Sequence, residues 1–440
     1  MFSRIKTIIC WLVLLLPFAG SAQNKDPRPN IIFIMVDDMG YADLGCYGRK
    51  DYKTPSLDKL SSEGMKFTQA YAGAPVCTPT RVSYMTGKYP ARHPVGLREP
   101  LEWSLRDSAI GMKGDLPTLA SLLKENGYHT ALIGKWHLGF RPEFHPMQNG
   151  FNEFFGFKGG GLDFVAHTNP DGKHDLYENE HAVEVKGYLT NILADRVIDF
   201  LGKDHGAPFF LSIQFNAPHW PWQGPDDAAY HDTMSFRAGG SPAIYASMVE
   251  NLDKNIGRIT AELKRTGLEK NTLLIFVSDN GGERYSDMGT LRGSKMSLWE
   301  GGIRVPAMVR WPGKTRAGSI SDQPVITMDW TVTMLSAAGV QNMNSIAFDG
   351  IDLLPFFRDP SKRMDRTFYW RLSRFPMKAI RDGHWKYVKD EKGEYLFNLA
   401  RDASEKNDLK ATERSKFENL KVKYQLWESN VLPPFLYTGN

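Results

Sequence analysis

The segment Asn30-Ile31-Ile32-Phe33-Ile34-Met35-Val36-Asp37-Asp38, residues 30–38, contains an unbroken apolar run of six residues that is followed by two carboxylates. A short apolar run of this kind is typical of a strand buried on both faces of a parallel sheet. Three later segments share this character: residues 130–133, 209–215 and 273–278. A helical pattern that ends at a glycine precedes each of them, at residues 116–126, 189–201 and 244–266. This alternation predicts an α/β fold in which helices cover both faces of a large, mostly parallel sheet.

The pattern changes after Gly339. Short strand-like runs follow at residues 367–372, 377–381, 385–389 and 395–398, and Asp382-Gly383 between two of them is a hairpin signal. A polar helical stretch over residues 404–429 ends the chain. We therefore expect a main domain over residues 23–344 and, over residues 345–440, a small antiparallel sheet with a terminal helix.

The first 22 residues have the pattern of a secretory signal peptide. Arg4 and Lys6 form a basic start, residues 8–19 an apolar run, and Gly20-Ser21-Ala22 a small-residue cleavage site. The apolar run is shorter than the ~20 residues that a transmembrane helix needs, and no other stretch is long enough. The sequence thus predicts an exported protein, periplasmic or secreted, without a membrane span.

The charge balance gives no reason to expect nucleic acid as a partner. The 440 residues carry a formal charge of +4, and loss of Arg4 and Lys6 with the leader would leave 52 basic against 50 acidic residues. A nucleic-acid-binding domain usually has a marked basic excess.

Polar side chains follow each predicted strand of the main sheet, where open α/β sheets bind ligands. They are Asp37-Asp38, Lys135 with His137, Asn216 with His219, and Asp279-Asn280-Gly281-Gly282. Each group alone has a plainer interpretation, as a turn, a helix cap or a solvated loop. Together, converging acceptors would repel one another without a cation. A hard dication with oxygen ligands, Ca²⁺ first and Mg²⁺ second, relieves that repulsion. Zinc is disfavoured because paired histidines and cysteine clusters are absent.

The segment Cys77-Thr78-Pro79-Thr80-Arg81, followed by Thr86-Gly87, places a thiol at the start of a predicted helix. Pro79 suits a first helical turn. Cys77 lies where unpaired backbone N–H groups favour anions, and Arg81 lies one turn on along the same face. The plainer interpretation is an inert buried thiol before an ordinary helix.

This segment resembles the Cys-x-Pro-x-Arg signature of the sulfatase family, the formylglycine-dependent type I enzymes of the alkaline phosphatase superfamily. Residues 127–137, from Gly127 to His137, resemble the second signature of that family, and residues 291–302 resemble the stretch that supplies a further lysine. The resemblance runs through residues 29–400 in order. Thr80 replaces the commoner serine, and Tyr84 replaces the usual aliphatic residue.

The resemblance implies an alkaline phosphatase-like fold and a set of roles. A formylglycine-generating enzyme or maturase would oxidise Cys77 before folding to 3-oxoalanine (formylglycine), whose hydrate attacks sulfur and later ejects sulfate. One Ca²⁺ would be held by Asp37, Asp38, Asp279 and Asn280 and would orient the modified Cys77. Arg81 and His137 would hold and deprotonate the nucleophile, and Lys135 and Lys295 would neutralise sulfate oxygens. His219, with Lys295, would protonate the leaving oxygen.

Two outcomes remain open for the cysteines. Cys10 leaves with the leader, so the mature chain retains Cys46 and Cys77. They form one disulfide, as an exported protein allows, or Cys77 is converted and Cys46 remains a single packed thiol.

The expected function is that of an exported sulfuric ester hydrolase acting on sulfated carbohydrates of the glycosaminoglycan or algal galactan type. Candidate sugar contacts are a loop over residues 159–186, with Asp163, His167, His174 and Glu178, and the aromatic residues Tyr41, Trp220 and Trp222. The cations Arg92, His93 and Arg98 are candidates to meet a substrate carboxylate or a second sulfate. Two alternatives remain: a phosphodiester or phosphonate monoester hydrolase of the same superfamily, and a catalytically inactive sulfated-glycan binding protein with an unmodified Cys77.

Overall fold

A computed structural model describes residues 28–104, 107–229, 235–341 and 343–437. The leader predicted over residues 1–22 lies outside these residues. Within the described ranges, no helix combines the length and the apolar character that crossing a membrane requires.

The main sheet has eleven strands and the order β10-β2-β9-β8-β1-β7-β3-β4-β5-β6, with β11 beside β2. These strands are β1 Asn30–Val36, β2 Met65–Tyr71, β3 His129–Lys135, β4 Glu153–Phe157, β5 Tyr177–Glu178, β6 His181–Ala182, β7 Phe209–Gln214, β8 Thr272–Ser278, β9 Arg304–Arg310, β10 Ser319–Ser321 and β11 Val325–Ile326. The centre, from β8 through β1, β7 and β3 to β4, is parallel. β9 runs antiparallel to both of its neighbours, β8 and β2. The sheet is therefore mostly parallel, as predicted.

Helices cover both faces of this sheet. In chain order the described helices are α1 Pro55–Glu63, α2 Cys77–Thr86, α3 Leu119–Glu125, α4 Leu189–Leu201, α5 Ser235–Ala238, α6 Pro242–Arg265, α7 Glu300–Ile303, α8 Thr327–Ala337, α9 Leu354–Arg358 and α10 Arg414–Glu428. The alternation of β1 shows how the two cores form. Ile32, Ile34 and Val36 pack with α1, α4 and α6, whereas the intervening residues of β1 pack with α2, α3 and α8. A strand that is apolar at every position can bury both of its faces in this way.

A second sheet is antiparallel and has the order β12 Thr367–Leu372, β13 Met377–Asp382, β14 Trp385–Asp390 and β15 Gly393–Asn398. It packs against α10 and forms a third apolar core. This arrangement confirms the predicted small antiparallel sheet with a terminal helix. The domain boundary at residue 344 remains a prediction.

The terminal helix begins ten residues later than the predicted start at residue 404. The preceding residues instead form turns in which Asp402 accepts hydrogen bonds from the backbone N–H groups of Lys406 and Asn407. Asp408 accepts one from the N–H of Leu396 on β15. Such side-chain bonds compete with helix formation, and the polar pattern did not reveal them.

A buried ion network joins the two sheets. Lys386 Nζ, on β14, lies 2.9 Å from Glu300 Oε1 and 2.8 Å from Glu405 Oε1, and all three side chains are fully buried. The hydroxyl of Tyr71, on β2, donates to Glu300 Oε2 at 2.6 Å. The loop that ends at Glu300 is therefore held by residues from both sheets.

Candidate functional site

The predicted site residues converge at the carboxyl ends of the neighbouring strands β8, β1, β7 and β3. Because these strands are parallel, their carboxyl ends share one edge of the sheet. Asp37 and Asp38 follow β1, Asp279 and Asn280 follow β8, and His219 lies beyond the end of β7. The structure brings together all of the residues proposed for catalysis and for the metal, namely Asp37, Asp38, Cys77, Arg81, Lys135, His137, His219, Asp279, Asn280 and Lys295.

Cys77 is the first residue of α2 and is only 2% exposed. Its Sγ and carboxylate oxygens of Asp37 and Asp279 all lie within 4.8 Å of one another. Burial raises the pKa of the Cys77 thiol, although Lys135 and Lys295 oppose that effect. Both described cysteines are free, and the partly buried Cys46 packs against an apolar core. The structure therefore has no disulfide between Cys46 and Cys77, and conversion of Cys77 remains a prediction.

Arg81 lies on α2, one helical turn after Cys77. Its side chain is buried and faces the carboxylates of Asp37 and Asp279. Its Nη2 lies 3.2 Å from Asp279 Oδ2 and 3.6 Å from Asp37 Oδ2. Its Nη1 donates to Gln214 Oε1 at 2.8 Å. The guanidinium is thus fixed between β1, β7 and β8.

Two lysines neutralise the adjacent aspartates. Lys135 Nζ, at the end of β3, donates to Asp37 Oδ2 at 2.5 Å and to the carbonyl of Gly160 at 2.6 Å. Lys295 Nζ donates to Asp38 Oδ2 at 2.6 Å. His219 Nε2 lies 3.6 Å from the same Asp38 oxygen. The ammonium groups of Lys135 and Lys295 therefore lie against Asp37 and Asp38, and Lys295 also lines the cavity.

The two histidines differ in which ring nitrogen keeps a free lone pair. His137 Nε2 lies 2.8 Å from the carbonyl of Leu101 and His219 Nδ1 lies 2.5 Å from the carbonyl of Trp220. A carbonyl only accepts, so these nitrogens carry the protons and leave lone pairs on His137 Nδ1 and His219 Nε2. Burial, reinforced by Lys135 for His137 and by Lys295 for His219, holds both pKa values well below the usual range. Both imidazoles are therefore neutral.

Asp38 and His137 have unusual backbone conformations. Their φ angles are 63° and 55°, in the left-handed region that non-glycine residues seldom occupy. Such conformations cost of order 1–3 kcal/mol and cluster at functional sites, where the surrounding structure enforces them.

The oxygen atoms at this edge fit a divalent cation. Asp37 Oδ1 and Asn280 Oδ1 are buried and have no hydrogen-bond partner within the described residues. Asp38 and Asp279 add two further carboxylates, and the N–H of Asp38 donates to Asp279 Oδ1 at 3.2 Å. Carboxylate and amide oxygens are ligands of hard cations such as Ca²⁺.

The pKa values of the three aspartates differ because their neighbours differ. Burial alone would raise the pKa of Asp37, but the charges of Lys135 and Arg81 hold it well below its usual range. Burial raises the pKa of Asp38 to about 6, although Lys295 lowers it. Burial and the negative charge of Asp37 raise the pKa of Asp279 to about 8. A cation among them would favour their ionised forms.

The site opens into a cavity of about 610 Å³. Cys77, His137, His219 and Lys295 line its base, together with Gly160 and Gly161. Other lining residues come from several parts of the chain, among them Glu102, Trp103, Asp171, Trp220, Arg237, Arg374 and Phe375. The volume lies within the range of roughly 300–1,000 Å³ that is typical of small-molecule sites.

Most of the sugar contacts predicted from the sequence are occupied by structural interactions. In the loop over residues 159–186, Asp163 accepts from the backbone of that loop, His167 and His174 contact backbone carbonyls, and Glu178 pairs with Arg196. None of these four residues lines the cavity. The loop instead contributes Gly160, Gly161 and Asp171.

The predicted cations and aromatic residues fare similarly. Arg92 pairs with Asp349, Arg98 pairs with Asp107, and His93 is buried. The Tyr41 hydroxyl donates to the carbonyl of Thr68, and Trp222 is 2% exposed. Of the predicted sugar contacts outside the loop, only Trp220 lines the cavity.

Sequence reasoning missed Gln214 and Gly160. Gln214 positions Arg81, and Gly160 accepts from Lys135 and leaves room for the His137 ring. The Gly159-Gly160-Gly161 run was a visible signal for close approach of backbone to a site. Gln214 ends a buried strand, where a polar residue also calls for explanation.

Comparison with known families agrees with this site. The family model Sulfatase matches residues 29–340, and the model N-sulphoglucosamine sulphohydrolase, C-terminal, matches residues 294–431. The N-acetylgalactosamine-6-sulfatase of Canis lupus familiaris is 33% identical over 383 residues, which are 82% of this chain and 72% of that protein. Arylsulfatase J of Mus musculus is 36% identical over 348 residues, 77% of this chain and 56% of that protein.

A solved structure extends the comparison to three dimensions. The crystal structure of Ps i-CgsB in complex with k-i-k-neocarrahexaose superposes with a TM-score of 0.82 and 31% sequence identity. The match covers 94% of this chain and 95% of that one. It agrees with the predicted alkaline phosphatase-like architecture.

Proposed function

The chain belongs to the sulfatase family of sulfuric ester hydrolases, and on that premise we propose that it removes sulfate from sulfated carbohydrates with an oxidised Cys77 as nucleophile. One observation carries this proposal. Cys77 and Lys295 line one cavity, and Asp37 and Asp279 lie directly behind them, within 4.8 Å of the Cys77 sulfur. Lys135 and Lys295 donate to Asp37 and Asp38, so cations and a nucleophile meet at one point, as attack on a tetrahedral anion requires. Fixed cations around such an anion are the main contribution that a protein makes to its transfer.

The carbohydrate class is supported by the relatives. One is named for its action on N-acetylgalactosamine 6-sulfate, and one similar structure was solved with k-i-k-neocarrahexaose bound. The aromatic lining of the cavity, from Trp103, Trp220 and Phe375, also suits the apolar face of a sugar ring. A glycosaminoglycan or an algal galactan is the proposed source of the substrate.

Two modifications of the site belong to the proposal. Conversion of Cys77 to 3-oxoalanine (formylglycine) by a formylglycine-generating enzyme or maturase would supply a hydrated aldehyde as nucleophile. A Ca²⁺ ion, with Mg²⁺ as second choice, would be held by Asp37, Asp38, Asp279, Asn280 and the modified Cys77, and would supply Lewis acidity toward a sulfate oxygen.

The remaining side chains bind the anion and handle protons. Lys135 and Lys295 are placed to neutralise sulfate oxygens, and Arg81 is placed to hold the nucleophile. His137 Nδ1 lacks a hydrogen-bond partner within the described residues, so it can accept the proton of the attacking group. The Nδ1 proton of His219 is donated to the backbone carbonyl of Trp220. His219 must therefore take up a second proton, at Nε2, before it can donate one to the leaving oxygen. Lys295 already carries such a proton.

The experiment is a screen of defined sulfated monosaccharides and disaccharides, read by sulfate release with and without chelator. The predicted leader implies that the protein is exported, to the periplasm or outside the cell, and the screen uses this exported form. We expect release from at least one saccharide, loss of release with chelator, and faster turnover of an aryl sulfate than of an aryl phosphate. Faster turnover of the phosphate would instead identify a phosphodiester or phosphonate monoester hydrolase. An unconverted Cys77 in the intact-protein mass spectrum, with binding but no release, would identify a glycan-binding protein.

A further inference from the structure

Arg237, on α5, lines the cavity that contains Cys77, and we infer that it binds a second anionic group of the substrate. That group is a sulfate ester or a carboxylate on the same saccharide. The inference rests on the proposed function, because it assigns a subsite for the saccharide whose sulfate ester is cleaved.

A continuous set of contacts links Arg237 to the catalytic residues. The rings of His219 and Trp220 have centroids 4.4 Å apart, and the Arg237 guanidinium carbon lies 4.6 Å from the centroid of the Trp220 ring. Phe236, which is buried, makes a T-shaped contact with the same indole, with ring centroids 6.2 Å apart. The carbonyl of Arg237 accepts a hydrogen bond from Arg284 at 3.0 Å. The backbone that presents Arg237 is therefore anchored next to the proposed proton donor.

Arg237 differs from the other two cations that line the cavity, because each of those is paired with a carboxylate. Lys295 is paired with Asp38 and Glu283. Arg374 is paired with Glu102, with 2.8 Å between Nη1 and Oε1. No carboxylate of the described residues lies within ion-pair distance of Arg237. An unpaired guanidinium beside a cavity would attract a ligand anion.

Stacking on the indole of Trp220 also favours anion binding by Arg237. Stacking on an aromatic ring restricts the guanidinium without consuming its hydrogen-bond donors. Its planar fork can then donate two parallel bonds to a carboxylate or a sulfate. The exposed rings of Trp103 and Phe375, 39% and 51% accessible, line the same cavity and could contact the sugar that carries this group.

The test compares three forms of one saccharide that the enzyme desulfates. The first carries only the scissile sulfate, the second has an additional sulfate on the neighbouring sugar, and the third has a carboxylate there. We expect the wild-type kcat/KM to be highest for the second or the third, and that result identifies the bound group. Arg237→Gln should lower kcat/KM for that saccharide, mainly through KM, by about tenfold more than for the singly charged one, as loss of a charge-assisted contact implies.

A matched control separates this effect from general loss of an arginine. Arg196→Gln also removes a guanidinium from an aromatic face, that of Phe155 at 4.4 Å, but outside the cavity. It should leave the preference between the saccharides unchanged. Equal losses for singly and doubly charged saccharides in Arg237→Gln, or no loss for either, would overturn the inference.

Binding keeps the inference testable if turnover fails. Titration calorimetry with Cys77→Ala and with the double variant Cys77→Ala, Arg237→Gln would measure affinity for the same three saccharides. If the wild-type enzyme releases no sulfate from any saccharide, the proposed carbohydrate activity is wrong. A selective, roughly tenfold weaker binding of the doubly charged saccharide would still support the subsite, and equal affinities would refute it.

Discussion

Gly160 and His137 lie so close together that a side chain at residue 160 would overlap the imidazole. An ideal Cβ at Gly160 would lie 2.6 Å from His137 Cε1 and 2.7 Å from Nε2. The carbonyl of Gly160 also accepts a hydrogen bond from Lys135. One backbone position therefore sets the location of two proposed catalytic side chains.

Gly160→Ala should consequently lower kcat on an aryl sulfate by about 10²-fold, the effect of a catalytic group displaced by about 1 Å. The matched control is Gly202→Ala, where an ideal Cβ would make only ordinary contacts at 3.6 Å or more. Thermal unfolding of both variants would show that each remains folded. Wild-type kcat in Gly160→Ala would mean that the position of His137 does not limit the reaction.

Tyr84 and Arg81 are connected through a chain of side-chain hydrogen bonds. The Tyr84 hydroxyl and Gln214 Nε2 both donate to Ser212 Oγ, at 2.9 and 2.8 Å, and Gln214 Oε1 accepts from Arg81. Tyr84→Phe removes the first bond from a buried network, so we expect a loss of about 0.5–1.5 kcal/mol in the free energy of unfolding. It should also lower kcat a few-fold through Arg81. Tyr177→Phe, whose hydroxyl has no hydrogen bond within the described residues, should change neither urea unfolding nor kcat.

Replacement of Cys77 should separate chemistry from binding. Cys77→Ala should lose sulfate release, because its methyl side chain is not a nucleophile and has no thiol for the proposed modification to oxidise. Binding of the saccharide, measured by calorimetry, should persist, since the lysines and the arginine remain. Mass spectrometry of the wild-type protein would report conversion of Cys77 independently. Undiminished turnover by Cys77→Ala would exclude this residue as the nucleophile.

Calcium should stabilise the folded chain. A ligand that binds only the folded state, present at 100 times its Kd, adds about 2.7 kcal/mol to the free energy of unfolding. We therefore expect a higher Tm with Ca²⁺ than with chelator, and a weaker effect of Mg²⁺. Asp279→Asn should weaken Ca²⁺ binding in calorimetry, whereas Glu143→Gln, at an exposed position, should not. The same Tm with Ca²⁺ and with chelator would argue against the ion.

The pH dependence of stability should report on Glu405. Burial raises its pKa to about 7, although Lys386 opposes the shift. The folded state then holds this proton at pH values where the unfolded chain has lost it, so stability falls as the pH rises from about 4.5 to 7. Glu405→Gln lacks this component. The difference in urea-unfolding free energy between the two proteins should change across that window and level off above it. A constant difference from pH 4.5 to 8 would mean that the pKa of Glu405 is not raised.

Much of the main sheet could be predicted because its central strands are built around short, mostly apolar runs. β9 could not. Pro306 interrupts its pattern, and its antiparallel pairing with β2 and β8 depends on segments that are distant in the chain. The predicted helix start at residue 404 was wrong for a related reason. Asp402 and Asp408 accept hydrogen bonds from backbone N–H groups, and a helical pattern in the sequence does not reveal such bonds.

The same distinction between local patterns and long-range packing applies to the site. Residues at strand ends, such as Asp37 and Asp279, could be assigned because sheet geometry brings strand ends together. Arg237 could not, since its position beside Trp220 depends on how the short helix α5 packs against the segment that follows β7. Arg92 illustrates the converse, because its charge seemed free in the sequence but is paired with Asp349 in the fold.

The shared burial of Glu300, Lys386 and Glu405 makes the two sheets interdependent. A fragment that ended at residue 344 would leave Glu300 as a carboxylate without its lysine. The complementary fragment would have to solvate Lys386 and Glu405 alone at an exposed apolar surface. Split halves of this chain should therefore be active only when they are co-produced and reassociate, and the loop that carries Lys295 would be the first part to lose its geometry on separation.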